Sequence, residues 1–202
     1  MIRGLLLILD AGASWTKIAQ KQRGFWFIFL VHLVPLMAMT LGVEAYALHR
    51  LGEGRTITDA RIDHTWEEAV RYALTVAALN LGVILAGAKI VEHIGRSFHN
   101  ASSYLPAFTL LAYGLSPLFL LHLLDALPGI NTWICFGIGI ALSIAALYLG
   151  IPTILKPDPA KAMGIYVIVS VLLLVLTGLA HFVAVQILHN ELNPRFWEQL
   201  VR

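Results

Sequence analysis

The chain has 202 residues, with 58% hydrophobic and 13% charged residues and a formal net charge of +2. A soluble domain carries about 25% charged residues, so this chain has too little charge to cover a water-facing surface, and its mean hydropathy of +0.77 agrees. The small net charge excludes a nucleic-acid partner, which needs a concentrated basic face, and a single cysteine, Cys135, excludes an internal disulfide or a cysteine-based metal cage.

Residues 5–9 are apolar but fall short of the core of a cleavable signal peptide, about 7–15 residues long. Residues 12–24 place Trp15, Ile18 and Gln22 on one helical face and Lys17 and Lys21 on another. This pattern predicts a short helix at the cytoplasmic membrane interface, its basic groups near anionic headgroups. A spanning helix needs about 20 mostly apolar residues. Five stretches qualify: residues 25–48, 69–91, 104–124, 130–155 and 162–188. The predicted fold class is therefore all-α, a polytopic integral membrane protein with an N-terminal interfacial helix. Residues 1–24 form the cytoplasmic segment, 25–188 the five-helix domain and 189–202 a short extracytoplasmic tail.

The breaks between spans have their own chemistry. Gly52-Glu53-Gly54-Arg55 opens a polar loop, and Thr65-Trp66-Glu67-Glu68 reads as a capping box before the second span. Residues 95–103 form a polar link, Asp125-Ala126-Leu127-Pro128-Gly129 a tight turn, and Lys156-Pro157-Asp158-Pro159 a segment that cannot continue a helix. Pro106 and Pro117 predict a kinked third helix. Trp26, Trp66, Trp133, Trp197, Tyr46, Tyr104 and Tyr148 lie near span ends, as in an aromatic belt. One side holds Arg3, Lys17, Lys21, Arg23, Lys89, Arg96, Lys156 and Lys161, and the other Arg50, Arg55, Arg61, Arg71, Arg195 and Arg202. This bias predicts a cytoplasmic N-terminus and an extracytoplasmic C-terminus.

Helices in lipid associate through close packing of small residues. Ala78, Gly82 and Ala86 on the second span, and Gly137, Ala141 and Ala145 on the fourth, each repeat every four residues. The first reading is packing within the bundle, and the alternative is contact with a partner subunit. Polar groups inside spans are costly and count as functional candidates. Here these are His32, Glu44, Asn80, Lys89, Glu92, His93, His122, Asp125 and His181. His122 and Asp125, three residues apart, can pair, as can Glu92 with Lys89 or Arg96. Membrane cytochromes hold b-haem between histidines of two helices, so His32, His93, His122 and His181 are also weighed as haem ligands. The leading expectation is no cofactor and no metal. No nucleophile elbow, phosphate loop or His-Glu-x-x-His motif is present, so no enzyme is expected.

Several segments resemble the Yip family, membrane proteins named for interaction with Ypt/Rab GTPases, and in particular its bacterial branch. They are Leu5-Leu6-Leu7-Ile8 with Ser14-Trp15-Thr16-Lys17-Ile18, and Ala112-Tyr113-Gly114-Leu115-Ser116-Pro117 with Leu123-Leu124-Asp125-Ala126-Leu127-Pro128. Leu147-Tyr148-Leu149-Gly150-Ile151-Pro152, followed by Lys156-Pro157-Asp158-Pro159 and Lys161-Ala162, is the most specific. The resemblance implies five spans and a cytoplasmic N-terminus. It carries over neither catalytic residues nor GTPase binding, since the long N-terminal region of eukaryotic members has no counterpart in these residues. The expected role is a non-enzymatic scaffold or accessory subunit in a bacterial inner membrane, in contact with lipid and with membrane-protein partners or further copies of itself. The alternatives are a small transporter or channel and a haem-binding membrane anchor.

Overall fold

A computed structural model describes residues 2–52, 63–97 and 103–189. Most of the polar loop after the first span, most of the 95–103 link, Trp197 and all of the C-terminal tail beyond His189 lie outside the described residues. Every regular element within them is helical. Two short helices open the chain, α1 (Ile2–Leu9) and α2 (Ala11–Lys21). Five helices long and apolar enough to cross a membrane follow: Phe25–Leu51, Trp66–Ser97, Tyr104–Ala126, Thr132–Ile154 and Pro159–Leu188.

The starts of these helices follow from their first residues. Thr65 caps the second span: its hydroxyl accepts from the Glu68 amide at 3.3 Å, and Glu68 accepts from the Thr65 amide at 2.9 Å. This is the reciprocal pairing that a capping box supplies. Asn131 accepts from the Trp133 amide at the fourth span, and Asp158 from the Ala160 amide at the fifth. Pro159 occupies the first turn of the fifth span, where a missing N–H costs nothing. Pro106 likewise falls in the first turn of the third span. The third helix is interrupted at Leu115, beside Pro117, and not at Pro106.

The third span is the axis of the bundle. Of its most apolar stretch 78% is buried, against 33–44% in the other four spans, and every residue from 110 to 119 is buried. A helix that is apolar all round belongs inside. The first, second and fourth spans pack around it, and the fifth lies against the second and fourth. The outer surface is covered by large exposed apolar side chains, among them Leu30, Val34, Leu74, Ile138, Val171, Val175 and Phe182. A contiguous apolar surface of this kind needs lipid to cover it. Trp26, Tyr46, Trp66, Trp133 and Tyr148 are at least half exposed.

Close approach to the third and fourth spans rests on four glycines. A Cβ on Gly139 would sit 2.9 Å from the backbone Cα of Leu118, and one on Gly114 would sit 2.7 Å from the Leu147 side chain. A Cβ on Gly150 would meet the Trp15 ring at 2.7 Å, and one on Gly87 would meet Leu111 at 2.9 Å. Trp15 is fully buried, and its indole N–H donates to the Ala146 carbonyl at 2.8 Å. The amphipathic face of α2 is therefore directed at the fourth span, with Lys17 and Lys21 exposed. α1 packs against residues 116–122 and the fourth span, with Leu7 buried.

Because the Leu118 backbone cannot move aside as a side-chain tip can, Gly139→Ala is expected to destabilise the detergent-solubilised protein by about 1–3 kcal/mol, the usual cost of overpacking. Gly137→Ala, with open space around its Cβ position, is expected to leave the thermal midpoint unchanged. Thermal unfolding of the two variants side by side checks this.

Candidate functional site

The polar groups buried in the spans form clusters at three levels. The first lies where two helix irregularities meet. Pro35 has no amide hydrogen, and the turn before it, Phe29–Leu33, is a π-turn rather than an α-turn. In the third span, Pro117 leaves an interruption at Leu115 between Tyr104–Gly114 and Ser116–His122. His32, in the π-turn, meets Ser116, in the break: their Nε2 and Oγ atoms are 2.9 Å apart. The His32 ring also stacks on Tyr113 with centroids 4.1 Å apart. Two further hydroxyls complete the repair. Ser143 on the fourth span accepts from the Leu118 amide at 3.2 Å, and the Thr40 hydroxyl lies 3.4 Å from the Phe119 carbonyl while donating to Leu36 at 2.9 Å. Neighbouring helices thus bring hydroxyls to backbone groups within two residues of Pro117, as an intramembrane break requires.

Further along the first span, Glu44 and Thr40 line a cavity of about 10 Å³ with Asn80, which lies near the middle of the second span. That is about the space of one water. Glu44 is buried to 3% exposure.

The second cluster sits at the end of the third span. His122 Nδ1 and Asp125 Oδ2 are 2.9 Å apart, both residues buried. The His181 ring, from the fifth span, lies 6.5 Å from that of His122. It stacks on Phe136 at 5.2 Å and meets Trp133 edge-on at 4.5 Å. Here His181 is packed between aromatic rings, and one nitrogen of His122 faces a carboxylate. His32 bonds Ser116, and His93 is exposed at the opposite end of the bundle from His122. Among the described residues no group of three or more His, Cys, Asp or Glu is arranged to hold a metal ion.

The third cluster is at the end of the second span. The buried Glu92 accepts from Lys89 at 2.7 Å and from Arg96 at 2.5 Å, so the carboxylate holds both of its candidate partners at once. Lys89 and Arg96 themselves are exposed.

The small-residue stripes have the opposite placement to the one first expected. Ala78, Gly82 and Ala86 are exposed, as are Gly137, Ala141 and Ala145, and a Cβ added at Gly82 or Gly137 would meet nothing within 4 Å. Packing within the bundle uses Gly87, Gly114, Gly139 and Gly150 instead. A four-residue repeat identifies a smooth helix face but not the direction in which it points. Sequence reasoning also passed over Ser116, Ser143 and Thr40. The available signal was a hydroxyl within a turn of Pro117 or on a facing helix, which marks a place to satisfy a broken ladder.

Together, the five apolar helices, the buried interrupted axis and the lipid-covering surface define a polytopic all-α integral membrane protein. The chain belongs to the Yip1 domain family, whose profile matches residues 5–180. No curated protein and no solved structure matches it.

The His122–Asp125 pair gives a direct test of how these clusters contribute. Asp125→Ala leaves the His122 ring buried without its carboxylate and is expected to cost about 3 kcal/mol or more. Adding His122→Leu is expected to recover most of that loss, because two buried polar groups are then replaced by apolar volume. Thermal unfolding of the single and double variants in detergent measures the recovery.

Proposed function

We propose that this chain is a non-enzymatic integral membrane scaffold or accessory subunit that holds other membrane helices against its own. The observation that carries this reading is the outward placement of both small-residue stripes. Close backbone approach is the main source of helix affinity in lipid, and each stripe offers it where no described helix of this chain lies. Membership of a membrane-protein family supports partners of that kind. The buried polar groups support the same reading, since they serve to join the first, third and fourth spans to one another.

The orientation that fits is an N-terminus in the cytoplasm, on the side with eight of the Lys and Arg residues, in a bacterial inner membrane. Residues 2–24 fold back on the bundle from that side, 25–188 carry the scaffold, and 189–202 are assigned to the extracytoplasmic side. The bacterial branch of the family is the one whose members this chain is expected to resemble in role.

Extraction of native membranes in mild detergent is expected to recover the protein with partner subunits or with further copies of itself. Gly82→Leu and Gly137→Leu are each expected to reduce that recovery at least tenfold while leaving the thermal midpoint of the purified chain unchanged. Pull-down with mass spectrometry reads the outcome. Isolation as a lone monomer from native membranes, or undiminished recovery with both stripes filled, would remove the scaffold reading. Solute or ion flux in liposomes would replace it with a transporter.

A further inference from the structure

One pocket of about 330 Å³ opens at the end of the bundle where α2 ends, the third span begins and the fourth span ends. Its walls are of two kinds. Ile18, Leu105, Pro106 and Ile154 are apolar, while Arg23 and Lys156 bring two cations to the same cavity. Among the described residues neither cation is paired with a carboxylate: Arg23 lies over the Phe27 ring at 3.8 Å, and the nearby Asp158 is engaged in capping the fifth span.

The polar lining adds donors. Ser103, in the pocket wall, stands at the N-cap of the third span without a side-chain cap bond. The first amides of that helix have no intrahelical partners, and Pro106 has no amide at all. A helix N-terminus also carries partial positive charge. The hydroxyls of Thr109 and Thr153, which donate to their own helices at 2.7 Å, present lone pairs rather than charge to the cavity. Among the described residues no acidic side chain lines it. The pocket thus joins two cations and a helix N-terminus to an apolar flank at one end of the bundle.

We propose that this pocket binds the phosphate of an anionic glycerophospholipid, with Arg23 and Lys156 on the phosphate oxygens and the acyl chains along Ile18, Leu105 and Ile154. A free phosphate satisfies the cations but leaves the apolar wall bare, whereas a lipid covers both. A zwitterionic headgroup brings its own ammonium beside the two cations and is disfavoured. The inference stands apart from the scaffold role: it concerns a site between α2 and the adjoining ends of the third and fourth spans, and neither small-residue stripe contributes to it. It also differs from diffuse attraction of headgroups to Lys17 and Lys21, which lie on the exposed face of α2 away from the pocket lining.

The full chain is reconstituted in nanodiscs of equal phosphatidylglycerol and phosphatidylcholine, and the lipids that remain bound on release are counted by native mass spectrometry. The wild type is expected to retain phosphatidylglycerol at least tenfold over phosphatidylcholine. Arg23→Ala with Lys156→Ala is expected to abolish that preference, whereas Lys17→Ala retains it and Arg23→Lys keeps most of it. Thermal unfolding in phosphatidylcholine alone verifies that the double variant is folded. If it is not, each single Ala variant is measured, and each is expected to lower the preference severalfold. The proposal is overturned if the wild type shows no preference, if Lys17→Ala lowers it as much as the pocket variants do, or if millimolar inorganic phosphate displaces the bound lipid.

Discussion

A buried helix that is interrupted within hydrocarbon must find partners for every backbone group it releases, and this requirement organises the bundle. The third span is both the most enclosed helix and the broken one. Water does not reach its centre, and beside Pro117 the Leu118 amide and the Phe119 carbonyl are met from the fourth and first spans by Ser143 and Thr40. Those two hydroxyls fix the register of three helices at one level. His32 adds a third tie at Ser116, and it can do so because the π-turn ahead of Pro35 rotates that part of the first span relative to the rest. Two prolines on different helices thus produce complementary irregularities.

Around this level, packing and polarity divide the work. Glycines on the inner faces let the fourth span and α2 approach to distances at which a methyl group would collide. The ion pairs at the helix ends, Glu92 with Lys89 and Arg96, keep a buried carboxylate neutralised near the membrane boundary. Large aliphatic side chains fill the core and also cover the outer surface, where size costs no close approach between backbones.

Much of this architecture was legible in the residues. The count of spans came from apolar length alone, the capping box at Thr65 from two residue types three apart, and the His122–Asp125 contact from helical spacing. What spacing could not supply was phase. Ala78, Gly82 and Ala86 share one face of the second span, and Val83 and Gly87 share another with the same four-residue step; only tertiary packing decides that Gly87 points inward and Gly82 outward. The polar junction was hidden for a related reason. Ser143 looks like an unremarkable hydroxyl in its own helix and acquires its role from a proline 26 positions earlier in the chain. Membership of the Yip1 domain family agrees with the span count and leaves these local roles to the geometry.

The seat of Trp15 has a temporal side. Its partners, Ala146 and Gly150, lie 131 and 135 positions further along the chain. During synthesis α2 emerges well before them, and its indole has nowhere to dock until the fourth helix has entered the bilayer. A segment made early is therefore among the last to settle, and its docking reports that the helices behind it have assembled.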